Sequence, residues 1–220
     1  MTKSMPYTRA VPFSRPAGRR RIEVFSPKIG RRLCLGGYDA YRTWLVIEAN
    51  PLIVTFCERP TYVDGPKSPV IDFWVQLRGV PAGEFWMVEG LPRPSSKLAI
   101  TPPERHSHLH ELPVRYINRA DLIGWAEPIG NWARIIPYLV SHRRYRDTLL
   151  EQQIMAFLNE DESVDAVLAH FPQRDATTAQ AALFQLLAEG RVTSPDLAIE
   201  PMDGCTRFHR LPVVLASTPS

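Results

Sequence analysis

The 220-residue chain has little cysteine: Cys34, Cys57 and Cys205 lie far apart and form no CxxC pair. That excludes a disulfide framework or a zinc knuckle as the basis of the fold, and it fits a reducing cytoplasm. No apolar run approaches the roughly 18 residues needed to cross a bilayer. The start, Met1-Thr2-Lys3-Ser4-Met5-Pro6, lacks the apolar core of a signal peptide. A cytoplasmic protein without membrane association is therefore expected. Internal repeats are absent. Acidic residues are nearly absent from the first 35 positions, where Glu23 stands against nine basic residues: Lys3, Arg9, Arg15, Arg19, Arg20, Arg21, Lys28, Arg31 and Arg32.

The whole chain carries only +3, so the remainder is net acidic. A basic arm on such a body is a common way to hold a phosphate backbone, because each Lys or Arg contact releases counterions. Arg15, Arg19, Arg20, Arg21, Lys28, Arg31 and Arg32 are the candidate DNA contacts. The alternative is a solvated tail with no partner. Pro6, Pro12, Pro16 and Gly18 break any period across residues 1–20, which read as a flexible arm.

From residue 21 the pattern is that of a folded α/β domain. Residues 38–49 (YDAYRTWLVIEA) read as a helix stopped by Pro51, and Leu52–Phe56 reads as a strand. Thr61–Val63 reads as a second short strand before the Asp64-Gly65-Pro66 turn. Val70–Leu77 and Glu84–Glu89 are strong strands joined by a hairpin at Gly79–Gly83. Each offers one carboxylate, Asp72 or Glu89, among apolar neighbours. A carboxylate there costs free energy unless it binds something. Val114–Ile117, Asp121–Trp125 and Asn131–Arg143 continue as strand, helix and helix. Trp44, Phe73, Trp74, Phe85 and Trp86 are expected in the core.

After His142-Arg143-Arg144-Tyr145-Arg146 the character changes. Thr148–Asn159 is amphipathic, Ser163 can cap a helix over Val164–His170, and Asp175 or Thr177 can cap Ala179–Glu189, which Gly190 ends. Arg191–Leu197 and Thr206–Leu211 read as strands. Three helices and a two-stranded wing are the order of a winged helix. The expected division is an arm at 1–20, an α/β domain at 21–142 and a winged-helix domain at 143–220.

Several stretches carry a resemblance. Ser26-Pro27-Lys28-Ile29-Gly30-Arg31 is similar to a serine-x-lysine-x-glycine-arginine lead-in. Ile47-Glu48-Ala49-Asn50-Pro51-Leu52-Ile53 is similar to leucine-glutamate-x-aspartate-proline-x-valine. Phe56-Cys57-Glu58-Arg59-Pro60 is similar to phenylalanine-x-x-glutamine-proline. Val70-Ile71-Asp72-Phe73-Trp74-Val75 is similar to tyrosine-x-proline-aspartate-phenylalanine-leucine-valine. With Asn131 and its helix, and the winged-helix order, the chain resembles TnsA-type nuclease subunits of bacterial cut-and-paste transposons over about residues 20–210.

The resemblance implies a PD-(D/E)XK domain, a restriction-endonuclease-like mixed sheet flanked by helices. It also implies DNA at transposon ends, a DDE-type transposase and an AAA+ ATPase regulator as partners. The family's site is a glutamate on the first helix, an aspartate on the next strand, then glutamate or glutamine, one residue, and lysine. Those carboxylates would hold Mg²⁺, which takes oxygen ligands, while the cation orients the attacking water. Asp72 and Glu89 match. The helix glutamate falls on Ala40, with Asp39 adjacent, and the lysine falls on Leu91. Leucine can neither orient water nor stabilise a phosphorane. A working site would need substitutes: Asp39 for the acid after a small register shift, and Arg93 or Lys97 for the cation.

Two further features point elsewhere. His106, His108 and His110 alternate, so on a strand all three would face one side and could take zinc or nickel; the alternative is a polar loop. The third helix of the winged segment offers only Thr177, Thr178, Gln180 and Gln185 before Glu189. Without a basic residue it suits protein docking better than major-groove reading. Three readings remain: a TnsA-like subunit whose nuclease is lost or weakened, an active endonuclease that cuts the non-transferred strand with relocated residues, and a winged-helix DNA-binding regulator outside transposition.

Overall fold

The computed structural model describes residues 7–13, 20–89 and 106–212. Its elements, in chain order, are β1 (Arg21–Ser26), β2 (Arg31–Gly36), α1 (Tyr38–Ala49), β3 (Ile53–Glu58), β4 (Phe73–Leu77), β5 (Glu84–Val88), β6 (His108–Leu109), β7 (Leu112–Ile117), α2 (Arg119–Gly124), α3 (Ala126–His142), α4 (Thr148–Phe157), β8 (Glu162–Ser163), α5 (Val164–His170), α6 (Ala176–Ala188), β9 (Val192–Thr193) and β10 (Arg207–Arg210). The chain forms two compact units. One takes in the chain up to Ile47 with Leu52–Gly124, the other Glu48–Pro51 with the chain from Trp125.

The first unit is mixed α/β. Its five-stranded sheet has the order β3-β4-β5-β7-β6, antiparallel except for the parallel β5–β7 pair. The near-continuous apolar run Ile71-Asp72-Phe73-Trp74-Val75 reflects burial of both faces of β4. Trp74 pairs with Cys57 on one side and Phe85 on the other; Phe73 likewise lies between Glu58 and Trp86. The five core aromatics expected from sequence are all buried. β1 and β2 form a separate antiparallel hairpin. The turn closes where Ser26 accepts the Gly30 N–H on its carbonyl (2.9 Å) and the Ile29 N–H on its hydroxyl (3.2 Å), with Gly30 at φ +67°.

Several expectations are corrected. Residues 7–13 are packed on the first unit rather than forming part of a free arm. Tyr7 tilts against Trp74 and Phe85, with ring centroids 5.8 and 5.4 Å away. Val11 N–H donates to the Arg59 carbonyl at 2.8 Å, and the Arg59 guanidinium lies 4.7 Å from the centre of the Phe13 ring. Apolar anchors among the prolines outweigh the lack of periodicity. Thr61–Val63 is no strand but a single bridge, Tyr62 to Val70, because Pro60, Pro66 and Pro69 remove the donors a ladder needs. For the same reason Arg191–Leu197 shortens to β9, and Pro195 opens a 3₁₀ turn over Pro195–Ala198.

The main segment of the second unit begins at Trp125, ahead of the 141–147 segment where the sequence changes character. α3 belongs with the later helices, since it packs on α6, where Tyr138 meets the Phe184 ring edge-on at 5.2 Å, and Trp132, Ile135, Ile136 and Leu139 are buried. Three side-chain caps start the next helices: Asp147 accepts from Leu150 N–H (2.9 Å), Ser163 from Ala166 N–H (3.1 Å) and Asp175 from Thr178 N–H (3.0 Å). Each contributes about 1 kcal/mol. β8, β10 and β9 form a three-stranded antiparallel sheet in that order.

Asn131 is the polar keystone of this unit. Its side-chain amide donates to the Leu197 and Glu200 carbonyls (3.0 and 2.8 Å), and its oxygen accepts the Met202 N–H (2.7 Å). All three bonds hold the 195–202 segment against α3. Asn131→Ala should strand these groups and lower the urea unfolding free energy by about 2–4 kcal/mol. A loss under about 0.5 kcal/mol would show that water replaces the clamp.

Candidate functional site

Asp72 lies one residue before β4 and Glu89 one residue after β5, so both stand at the same end of this antiparallel pair. Asp72 Oδ2 accepts the Val88 N–H at 2.8 Å, and its backbone carbonyl accepts the Arg59 N–H at 2.7 Å. Glu89 N–H donates to the Ile117 carbonyl at 2.9 Å, continuing the parallel ladder. Both side chains are half-buried. Asp72 thus ends a strand pair with its own carboxylate, which leaves one of its two oxygens less available to an ion.

Ala40, at the position of the helix acid, is 7% exposed and lies on the inward face of α1 with Trp44 and Ile47. Asp39 is half-buried in the first turn, and its carbonyl accepts the Thr43 hydroxyl at 2.9 Å. Bringing Asp39 to the place of Ala40 means turning the helix by about 100°. That would drag Trp44 and Ile47 out of the core. Leu91, Arg93 and Lys97 lie outside the described residues, as do Arg15 and Arg19. Among the described residues, no group of three or more His, Cys, Asp or Glu is placed to hold a metal ion. Asp72 and Glu89 would supply two carboxylates to a Mg²⁺ that keeps most of its waters.

The remaining candidate cations divide. Arg20, Arg21 and Arg32 are exposed on or beside the hairpin, with Arg21 paired to Glu23 at 2.5 Å. Lys28 and Arg31, expected as phosphate contacts, are half-buried and make internal bonds. Lys28 Nζ donates to the Ile53 carbonyl at 3.0 Å. Arg31 makes a two-pronged bond to Glu58, Nη1 to Oε1 at 2.8 Å and Nη2 to Oε2 at 2.5 Å. This bond holds the guanidinium pKa above its usual value, against the opposing effect of burial. Glu58 is only 2% exposed, while Arg31 is partly exposed, so the arginine covers a buried carboxylate from the surface.

Sequence reasoning missed Glu58 and Arg59. Burial lowers the Arg59 pKa, opposed by the negative charges around it, Asp72 among them. Its guanidinium also bonds the Pro12 carbonyl, so the positive group near Asp72 is held by the packed 7–13 segment. The signal was present as a charged residue beside Pro60, but nothing in the sequence showed residues 7–13 returning to it. Burial, with the Glu58 charge next, pushes the neighbouring Cys57 thiol up to about 11, which makes it an inert core thiol at neutral pH.

The three histidines do not share a strand face. His108 is in β6, His110 turns the chain at φ +48°, and its Nε2 lies 2.9 Å from the Tyr62 carbonyl. All three are exposed. In the second unit, α6 buries Ala179, Ala181, Ala182, Leu183, Phe184, Leu186 and Leu187 under α3, α4 and α5. Gln185 is tied to Glu189 at 3.0 Å. Thr177 is exposed, while Thr178 and Gln180 are half-buried. No helix among the described residues is long and apolar enough to cross a membrane. The chain matches no family model and no characterised protein.

Proposed function

We propose that the chain is a DNA-binding, TnsA-like subunit of a bacterial cut-and-paste transposition machine, with its nuclease lost or weakened. It would act with a DDE-type transposase and an AAA+ regulator. The observation that carries the reading is the acid end of β4 and β5. Asp72 and Glu89 flank β4 and β5 at the same end of the pair, which is compatible with a former metal site, while the inward α1 position holds the buried methyl of Ala40. In this reading the first unit is a restriction-endonuclease-like domain whose site has become structural, as the Asp72–Val88 bond illustrates. In the same reading the second unit is a winged helix, which is supported by the order α4, β8, α5, α6, β9, β10 and by β10 lying between β8 and β9. The burial of α6 favours protein docking over groove reading.

The test uses one preparation and two measurements. Labelled transposon-end duplex should bind in fluorescence anisotropy, and the bound complex should show no nick above background in Mg²⁺ or Mn²⁺, with or without the transposase of the same element. Asp72→Ala should leave transposition nearly unchanged, at about 1 kcal/mol of stability for the lost Val88 partner. A metal-dependent nick abolished by both Asp72→Ala and Glu89→Ala would instead assign an active endonuclease, with Asp39, Arg93 or Lys97 in the missing roles. Absence of both DNA binding and transposase association would sink the transposition reading altogether.

A further inference from the structure

The connection between α3 and α4 carries a concentration of arginine. α3 ends at His142, whose carbonyl accepts the Tyr145 N–H at 2.8 Å and sets a turn. Arg143 and Arg144 are exposed, and Tyr145 is 77% exposed. Arg146 follows, with Nε and Nη2 on the two oxygens of Glu151 at 2.6 and 2.7 Å, and Nη2 also 2.7 Å from Glu189. Glu151 is 2% exposed, so this carboxylate is a fixed anchor. Arg191 reaches the same two acids at 3.6 and 3.7 Å, and Arg174 pairs with Asp147 at 3.2 Å. Three guanidiniums, of Arg146, Arg174 and Arg191, therefore pair with three carboxylates, and Arg143 and Arg144 lie exposed in the adjoining turn. The tied arginines are pre-oriented and balanced by their acids, and Arg143 and Arg144 add two formal positive charges in the connection itself.

Every cation in this group is arginine, whose planar fork matches phosphate oxygens and whose face stacks on rings. The exposed ring stands on a fixed turn between arginines. An acidic peptide would meet the guanidiniums with its carboxylates and needs no particular ring, whereas unpaired nucleic acid matches both features at once, phosphate to guanidinium and base to ring, since every base has a face to stack. We infer that the α3–α4 connection is a contact surface for DNA with unpaired bases, with phosphates on Arg143 and Arg144 and a base on Tyr145. The inference rests on the DNA-binding reading above. It puts the strand on this connection rather than on the buried α6.

The experiment uses the full chain, fluorescein-labelled oligo-dT, and a duplex of equal length, in an anisotropy series over salt. Arg143→Ala/Arg144→Ala should lower the slope of log K against log salt for oligo-dT by about 1.4, at about 0.7 per lost phosphate contact. It should weaken binding on the order of tenfold near 0.1 M salt. Tyr145→Ala should weaken oligo-dT roughly five- to a hundredfold with little change in slope, and duplex much less. These side chains are exposed, so unchanged melting curves will show that the variants are folded; Arg119→Ala, exposed in the first unit, is the control. If wild type binds DNA but the variants match it within twofold, the surface assignment is overturned. If wild type binds neither oligonucleotide, the DNA-binding reading fails and this inference with it. Tighter binding of polyglutamate than of oligo-dT at the same salt also overturns it, in favour of an acidic protein partner.

Discussion

Arg31→Ala should destabilise the chain by about 2–4 kcal/mol, although a reading from charge alone makes this residue a surface contact for phosphate. Removing one partner of a buried ion pair costs about 3–5 kcal/mol, because the other charge is left without compensation. The lower figure applies because the Arg31 side chain keeps 34% of its surface in water, while that of Glu58 keeps 3%. Both carboxylate oxygens lose a bond to the guanidinium in the substitution. Urea unfolding is the measurement. Arg20→Ala and Arg32→Ala, on exposed side chains, should stay within about 0.5 kcal/mol of wild type. Pairing Arg31→Ala with Glu58→Met should recover much of the loss, since a packed apolar side chain does not need the missing cation. Equal, small effects at all three arginines would mean that Glu58 is served by water. The result also guards the DNA measurements: any weaker binding by Arg31→Ala has to be corrected for unfolded protein first.

Gly83→Ala should cost about 3 kcal/mol or more. Gly83 ends the turn of the β4–β5 hairpin at φ +74°, where an L side chain is strained. A Cβ there would stand 2.5 Å from the Val75 carbonyl oxygen and 2.6 Å from Trp74 Nε1. Neither can yield cheaply. Val75 is inside the β4–β5 ladder, and the Trp74 ring is fully buried with its N–H on the Ala82 carbonyl at 3.3 Å. Strained backbone contributes about 1–3 kcal/mol and overpacking a similar amount. Gly79→Ala, at φ +80° but with open space around the new carbon, isolates the first contribution and should lose only about 1–2 kcal/mol. If the two variants unfold at the same urea concentration, the close approach of Trp74 is not limiting.

The sequence was legible wherever one short-range signal decided the structure. The helix over 38–49, the strands around Asp72 and Glu89, the turn between them and the Ser163 cap all depend on side-chain type within a few positions. What it hid were pairings over distance. Nothing local marks Glu162 and Ser163 as a strand; they become one only because Arg207 and Phe208 come alongside. Nothing local shows that Tyr7 covers Trp74, or that Arg31, one of nine early cations, ends on a buried glutamate. The β1–β2 hairpin was concealed by charge, since Arg21, Glu23 and Arg32 occupy its exposed positions. At the candidate site, identity was readable and engagement was not: Asp72 stands out as an acid among apolar residues, while its bond to the Val88 N–H depends on the strand pairing.

The parallel joining of β5 to β7 has a consequence in time. Hairpins such as β1–β2 and β4–β5 close over turns of a few residues and form within microseconds once their apolar partners meet. β7 must first be brought back across roughly two dozen residues of intervening chain, and that loop-closure entropy is lost before any contact repays it. The sheet is therefore assembled from its antiparallel half outwards. Until β7 arrives, Phe85 and Met87 lack Val114 and Tyr116 beside them, so the open edge of β5 is where a newly made chain is most exposed to pairing with another copy.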